Sequence, residues 1–246
     1  MGTFVSRSTD DGRTWSKPVL VGSAMSGATD VIVGAYRSGL AATHGPIVEL
    51  RNGDLLVPLY GRLPAGGDGP ASVVRSTDGG RSWPKENESF FALPPGFDYQ
   101  EPNLSVLRHG TLMSVIRSSR NVAYLSYSFD NGRHWTPPVD TGLPASSHHQ
   151  LVTRDGDVLL TYGDLSGDLA AGRPTVGRLL QHPERNIDAH RDVLLYDAGV
   201  NGPPTSDQAN PSSVELTPGR YFTTTSDPYL ASIVGVYSKR SDYLRR

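Results

Sequence analysis

Ser8-Thr9-Asp10-Asp11-Gly12-Arg13-Thr14-Trp15 is the first of three copies of one eight-residue pattern in this chain. The second copy reads STDGGRSW over residues 76–83, and the third reads SFDNGRHW over residues 128–135. All three share Ser-x-Asp-x-Gly-Arg-x-Trp, and the second and third follow strand-like runs of residues. Self-similarity of this kind indicates an architecture built from repeated units.

Each conserved residue type within the pattern suits a tight turn. The Asp carboxylate can accept hydrogen bonds from turn amides, the Gly can adopt a positive φ, and the Trp can fasten the turn to the sheet beside it. A catalytic role would require the carboxylate to face a cleft instead. We therefore predict a structural role for the Asp, Gly and Trp of each copy, namely Asp10, Gly12, Trp15, Asp78, Gly80, Trp83, Asp130, Gly132 and Trp135.

Four segments alternate apolar and polar residues about a turn that contains glycine, which is the pattern of a β-hairpin. They are 46–59 about Asn52-Gly53, 104–116 about His109-Gly110, 150–161 about Asp155-Gly156, and 212–224 about Pro218-Gly219. Together with the repeats, they predict one all-β domain over residues 1–246. Its units, which we call blades, are a tail at 1–21, blades near 40–93, 99–143 and 148–197, and a terminal hairpin near 207–238. This gives about four to five blades, of which the one containing 163–186 lacks the eight-residue pattern and is degenerate.

Composition excludes several classes of function. A formal net charge of -2 gives no electrostatic footprint for nucleic acid or an anionic membrane, and the absence of Cys excludes disulfides and thiolate chemistry. His148-His149 lacks further ligands at metal spacing, so we expect no metal and no cofactor. We find neither a signal peptide nor a transmembrane segment, which is consistent with a cytoplasmic protein, or with a secreted one if the true N-terminus is missing.

Hairpin spacing suggests a site. Glu101 and Arg117 are equidistant from His109, so they should face each other at the open end of their hairpin. The same offset brings His44, Ser147 and Asn210 to the level of Glu101, because each lies nine residues before its turn glycine. Blades around one axis would bring these positions together near the central channel. The alternative is that Glu101 and Arg117 form a partly exposed ion pair that contributes little to the stability of the fold.

The three repeats, known as Asp boxes, and the hairpin from Tyr99 to Arg117 resemble the bacterial exo-sialidases and the wider sialidase (neuraminidase) superfamily. The resemblance runs from the first Asp box to the end of the chain. It implies a six-bladed propeller, here incomplete, whose central face binds a carboxylated sugar.

The resemblance also implies roles for individual residues. Glu101 matches the Glu that polarises a Tyr nucleophile, and Arg117 matches one of three Arg that clamp the substrate carboxylate. A Tyr nucleophile avoids the electrostatic repulsion that a carboxylate nucleophile would meet at an anomeric centre that already bears a carboxylate. Arg173 is our choice for a further clamp, Arg178 is the runner-up, and a solvated loop Arg is the alternative to both.

The chain departs from the family pattern in two places. Asn210 stands where the family has its nucleophilic Tyr, and an amide cannot replace that nucleophile. Tyr60, Tyr99 and Tyr162 lie near the same face by the offset argument and are the candidate substitutes. Tyr60 and His44 are also candidates for substrate contact. The first clamp Arg and the acid/base Asp of the family precede its first Asp box, and they have no counterpart here.

Three hypotheses follow. The first is a sialidase-like glycoside hydrolase that acts on terminal sialic acid or a related acidic sugar. The second is a catalytically inactive carbohydrate-binding or interaction propeller. The third is a fragment that lacks the first blade. An unclosed ring leaves strand edges and apolar faces in water, so a homo-oligomer that covers them is a further expectation.

Overall fold

The computed structural model describes residues 2–27, 32–33, 36–37, 39–184, 187, 191–205 and 207–244. These residues form an all-β structure of short antiparallel sheets, as the hairpin patterns predict. No helix in the described part of the chain is long and apolar enough to cross a membrane.

The strands form six sheets, which we number in chain order. The first contains β1 (Phe4–Val5) and β2 (Val19–Leu20), and the second contains β3 (Ile32–Val33) and β4 (Tyr36–Arg37). The third contains β5 (Ala41–Ala42), β6 (Val48–Glu49), β7 (Leu55–Gly61), β8 (Ala71–Ser76) and β9 (Glu88–Ala92). The three remaining sheets each begin with a long hairpin.

The fourth sheet has the order β10 (Tyr99–Val106), β11 (Leu112–Ser118), β12 (Tyr124–Ser128) and β13 (Val139–Asp140). The fifth has the order β14 (Ala145–Val152), β15 (Val158–Asp164), β16 (Thr175–Leu180) and β17 (Val193–Tyr196). The sixth contains β18 (Ser212–Thr217), β19 (Arg220–Asp227) and β20 (Ser232–Lys239), and the helix α1 (Arg240–Leu244) follows it. Single 3-10 turns lie at Lys85–Asn87 and Ala198–Val200.

The chain divides into two compact units. One contains Met1–Ser114 and Ser126–Pro138, and the other contains Val115–Leu125 and Val139–Arg246. In the first unit, Val57, Leu59 and Val74 of the third sheet form a core with Trp83 and with residues of the first sheet. In the second, Leu159 and Leu179 of the fifth sheet pack against Tyr221 and Tyr243. Each core is the interior between two sheets, and β15 and β16 are buried at every position, so both faces of these strands are covered.

Candidate functional site

The Asp-box carboxylates point into their own turns. Asp78 accepts hydrogen bonds from the backbone N–H groups of Arg81 and Ser82, both at 2.9 Å, and from the Ser82 hydroxyl at 2.6 Å. Asp10 accepts the same kind of bonds from the hydroxyl and the amide of Thr14, and they lower the pKa of Asp10 to about 2. These carboxylates are occupied by the turn and are not available for catalysis.

The three Asp-box tryptophans differ in burial, although the pattern predicts one role for all. Trp83 is 2% exposed and lies in the core of the first unit. Trp135 is half-buried and stacks on Phe91, with ring centroids 4.6 Å apart. Trp15 is 63% exposed, and its Nε1 donates to the Gly12 carbonyl within the same turn. The expected fastening to a neighbouring sheet is therefore incomplete at Trp15.

Glu101 has an unusual backbone conformation. It lies on β10, is 9% exposed and has φ +48°, in the left-handed region that residues other than glycine rarely adopt. Ser147 has φ +50° in β14, where the register with β15 shifts between Ser146 and His149. Such a bulge redirects a side chain, and strained backbone of this kind clusters at functional sites. Both residues lie nine positions before their turn glycine, as the offset argument requires.

The other two positions that the offset argument selects, His44 and Asn210, are exposed and lack the left-handed backbone of Glu101 and Ser147. In the terminal hairpin the left-handed residue is Ala209, with φ +63°, one position before Asn210. Asn210 is exposed, and its Nδ2 donates to Ser226 Oγ at 3.4 Å. The exposed amide lines an open cleft of ≈ 380 Å³ together with Asp207, Ser226 and Asp227.

Within the first unit, His44 and Glu101 are carried by adjoining segments. A Cβ at Gly45 would lie only 2.9 Å from the Cα of Asn103 and from the Pro102 carbonyl oxygen, so the two backbones are in close contact. Tyr60 is half-buried on β7, which packs beside β10. Tyr99 is 4% exposed, and its ring meets Phe97 edge to face.

The first unit also contains a buried ion pair that the sequence patterns did not reveal. Arg62 Nη2 lies 2.7 Å from Asp98 Oδ2, and the other Asp98 oxygen accepts from the Gly69 amide at 2.7 Å. Arg62 also donates to the Gly67 carbonyl. The pair joins the end of β7 to the start of β10, and it therefore supports the backbone next to Glu101.

In the second unit, Arg173 lies at the end of the fifth sheet that carries the Ser147 bulge. Arg173 is 6% exposed, its Nη1 donates to Ser146 Oγ at 3.1 Å, and its Nε donates to the Gln208 carbonyl. A Cβ at Gly163 would lie 2.6 Å from Arg173 Cγ, so only glycine leaves room for this side chain. Arg173 thus lies beside the Ser147 bulge and the segment that carries Ala209 and Asn210.

The side chain of Gln208 is an exception to ordinary polar pairing. It is 1% exposed, and neither its Nε2 nor its Oε1 has a hydrogen-bond partner among the described residues. Leaving a buried polar group unpaired costs about 1–3 kcal/mol. An unpaired amide next to Arg173 identifies this part of the unit as a polar site with unused hydrogen-bonding capacity.

Arg178, the runner-up for the clamp, is committed to a different partner. Its Nε and Nη2 bind both oxygens of Asp192, at 2.8 and 2.6 Å, and its Nη1 donates to the Ile187 carbonyl at 2.7 Å. Tyr162 donates to the same carboxylate and is fully buried. Burial raises the pKa of Tyr162 above its ordinary value, which disfavours the phenolate. The geometry therefore commits Arg178 to Asp192 and makes Tyr162 inaccessible as a nucleophile, and the clamp role of Arg173 stays a prediction.

Several expectations lie outside what the geometry tests. Glu101 is on β10 in the first unit and Arg117 is on β11 in the second, and their pairing stays a prediction.

His148 is buried beside Tyr162, whereas His149 accepts a hydrogen bond from the Ser213 amide, so the two rings lie on opposite faces of β14. No group of three His, Asp or Glu in the described ranges could hold a metal ion.

Comparison with known proteins identifies the family. Residues 2–187 match the family described as BNR repeat-like domain. The chain belongs to this family. A comparison with curated protein sequences finds no significant match.

Solved structures with a similar fold include several sialidases. A protein of unknown function from Dyadobacter fermentans has a TM-score of 0.75 at 22% identity, covering 96% of this BNR-family chain and 63% of its own length. The Hadza microbial sialidase Hz136 has a TM-score of 0.66 at 18% identity, and the match covers 97% of this chain and 44% of the sialidase. The NanB sialidase of Streptococcus pneumoniae has a TM-score of 0.61 at 15% identity, and the match covers 98% of this chain and 36% of the sialidase. The BNR-family chain thus has the sialidase propeller fold but spans less than two thirds of each of these proteins.

Proposed function

We propose that this chain is a sialidase-like glycoside hydrolase that acts on terminal sialic acid or a related acidic sugar. The observation that carries the proposal is Arg173, a buried guanidinium oriented by Ser146 and by the Gln208 carbonyl at the bulged end of the fifth sheet. A planar guanidinium fixed in this way suits bidentate binding of a carboxylate. Membership of the BNR repeat-like family and the sialidase fold add support.

In this proposal Glu101 and Arg117 each have a role in the reaction. Glu101 polarises the nucleophile, and Arg117 binds the substrate carboxylate with Arg173. The backbone strain at Glu101 supports its role, because a left-handed, buried carboxylate is retained where position matters more than stability. His44, Tyr60 and Asn210 are the further candidates for substrate contact.

The nucleophile in this proposal is Tyr60. Of the three tyrosines considered, Tyr99 and Tyr162 are buried, and Tyr60 retains exposed surface. Tyr60 also lies on β7, in contact with the strand that carries Glu101. As the Tyr60 phenol attacks the anomeric carbon, its proton passes to Glu101, and the glycosidic bond breaks so that the aglycone leaves as an alcohol with a proton from water. Water then hydrolyses the covalent glycosyl–tyrosine intermediate and restores the phenol.

The test is hydrolysis of a fluorogenic sialoside. We expect turnover by the wild-type chain and none by Glu101→Gln, Arg117→Ala or Tyr60→Phe. For Arg173→Lys we expect at least a tenfold loss of kcat/KM, which corresponds to about 1.4 kcal/mol of transition-state stabilisation. Arg178→Lys is the matched control, since it alters a buried Arg that pairs with Asp192 and should leave KM unchanged. A folded wild-type chain that hydrolyses no sialoside would refute the hydrolase.

A second candidate is a carbohydrate-binding propeller without catalytic activity. The exposed amide of Asn210, at the position of the family nucleophile, favours it. Titration calorimetry with sialic acid and with neutral sugars separates the two candidates. Binding without turnover supports the second, provided that Arg173→Lys weakens it, and no binding to any of these sugars excludes it.

A further inference from the structure

Two consecutive residues of the second unit have conformations that cost free energy. Gln208 is 1% exposed, and the described part of the chain supplies no hydrogen-bond partner to its carboxamide. Ala209 is also 1% exposed, and its φ of +63° brings the alanine Cβ too close to the following carbonyl oxygen. An unpaired buried polar group and a left-handed alanine each destabilise a fold. Two such costs side by side indicate that another contact holds the segment 207–210 in this arrangement.

Arg173 provides that contact. Its Nε donates to the Gln208 carbonyl, and its Nη1 donates to Ser146 Oγ at 3.1 Å. Ser146 lies on β14 and is paired with Gly163 of β15, so the fifth sheet fixes its position. Gln208 lies outside the strands. Of the two acceptors on Arg173, the Gln208 carbonyl is therefore the one that can move away.

The Gln208 carboxamide packs against the residue that precedes Arg173. A Cβ added at Gly172 would lie 3.0 Å from Gln208 Nε2, and it would also lie 3.0 Å from the backbone N and O atoms of Thr205. Gly172 has φ +85°, so glycine provides both the turn and the space beside the carboxamide. The unpaired amide, the left-handed alanine and the guanidinium thus belong to one small region of the second unit.

A carboxylate bound to Arg173 would compete with the Gln208 carbonyl. Nε carries a single hydrogen, so a carboxylate that takes the Nε edge of the guanidinium in a bidentate pair must displace this carbonyl. A charged acceptor forms a hydrogen bond about twice as strong as that of a neutral acceptor, which favours the exchange. Ser146 keeps its bond to Nη1, so the Arg173 side chain keeps an anchor during the exchange.

We propose that a carboxylate ligand at Arg173 releases the segment 207–210, and that the freed Gln208 carboxamide then binds the same ligand. This inference rests on the proposed role of Arg173 in binding the substrate carboxylate, and it adds Gln208 as a substrate contact. Without its tether, Ala209 leaves the left-handed region and the carboxamide gains partners. A carboxamide has both donors and an acceptor, which match the hydroxyl groups of an acidic sugar. The free energy stored in the empty site is thus recovered as affinity.

Ala209→Gly separates this proposal from a purely structural role of the segment. Glycine adopts a positive φ without strain, so the variant should be more stable than the wild type in the absence of ligand. Binding would then recover no strain, so titration calorimetry should show about a fivefold or greater loss of affinity for free sialic acid. Ala231→Gly is the matched control, because Ala231 has φ +47° but is exposed in the turn between β19 and β20. It should keep the wild-type affinity.

Gln208→Met tests the carboxamide itself. Methionine has a similar volume and no polar group that requires a partner, so the empty variant should melt at a higher temperature than the empty wild type. The same variant should bind sialic acid about tenfold more weakly, because the ligand loses the hydrogen bonds of the amide. A residue that only supported the fold would not combine a gain in stability with a loss of affinity.

The outcomes distinguish this inference from the proposed function. If the wild type binds sialic acid and either Ala209→Gly or Gln208→Met binds it as tightly, the release of the segment is overturned and the hydrolase proposal is unaffected. A wild-type chain that binds no sialic acid overturns both. Weaker binding by the two variants, with unchanged binding by Ala231→Gly, supports the inference whether or not the chain hydrolyses sialosides.

Discussion

Tyr162 donates a hydrogen bond of 2.5 Å to Asp192 Oδ1, from a side chain that is wholly buried in the second unit. The same carboxylate neutralises Arg178 through two further bonds. Asp192 is thus the acceptor for both a buried phenol and a buried guanidinium. The network stabilises the fifth sheet and leaves neither donor available for a substrate.

Replacing Asp192 should destabilise the protein. Asp192→Asn leaves the Arg178 charge buried without its counter-ion, and breaking a buried pair from one side costs about 3 kcal/mol. Chemical unfolding of the wild type and the variant measures the difference. Asp168→Asn alters an exposed carboxylate that lines a cleft together with Asp192, and it should change the free energy of unfolding by less than about 0.5 kcal/mol. Equal effects of the two substitutions would contradict the account of Asp192.

Tyr162→Phe should lower stability without altering catalysis. Losing one hydrogen bond to a charged group costs about 1.5 kcal/mol or more, and the raised pKa of the Tyr162 hydroxyl keeps it protonated at neutral pH. If the chain hydrolyses sialosides, the kcat of Tyr162→Phe should equal that of the wild type, in contrast to Tyr60→Phe. A pH–rate profile of Tyr162→Phe that lost a titrating group would contradict this assignment.

The features that could be predicted from the sequence are local ones. The hairpins and the turn geometry of Asp78 depend on residues only a few positions apart, so alternation and turn residues identify them. The ion pairs Arg62–Asp98 and Arg178–Asp192 join residues through loops of irregular length, and no periodic pattern indicates them. The one-residue shift to Ala209 escaped the offset argument for a similar reason, because a count from the turn assumes an unbroken register.

Acid should destabilise the Asp-box turns. The ordinary pKa of an Asp is 3.8, and bonds from the backbone and ring of His134 lower the pKa of Asp130 to about 2, as Thr14 does for Asp10. A folded-state pKa below the unfolded one means that the contribution to stability is fully present above pH 4 and is lost as the pH falls from 3.8 toward 2. Thermal unfolding between pH 5 and pH 2.5 should show this loss.

Substitution of Asp130 checks the cause of that pH dependence. Asp130→Asn cannot titrate, so its melting temperature should be lower than that of the wild type at pH 5 and should approach it at pH 2.5. Asp68→Asn, in an exposed turn, is the control and should follow the wild type throughout. Parallel curves for the wild type and Asp130→Asn would show that Asp130 does not contribute to the acid sensitivity.

Trp83 and Trp15 should differ sharply in their contribution to the stability of a single chain, although they occupy the same position of the same motif. Trp83 is 2% exposed in a core, so Trp83→Ala should cost about 3–5 kcal/mol through lost burial and the cavity left behind. Trp15 is 63% exposed, so Trp15→Ala should cost less than about 1 kcal/mol. Chemical unfolding of the wild type and the two variants measures both costs. A cost for Trp15→Ala equal to that of Trp83→Ala would contradict this account, because it would mean that the Trp15 ring is buried as deeply as the Trp83 ring.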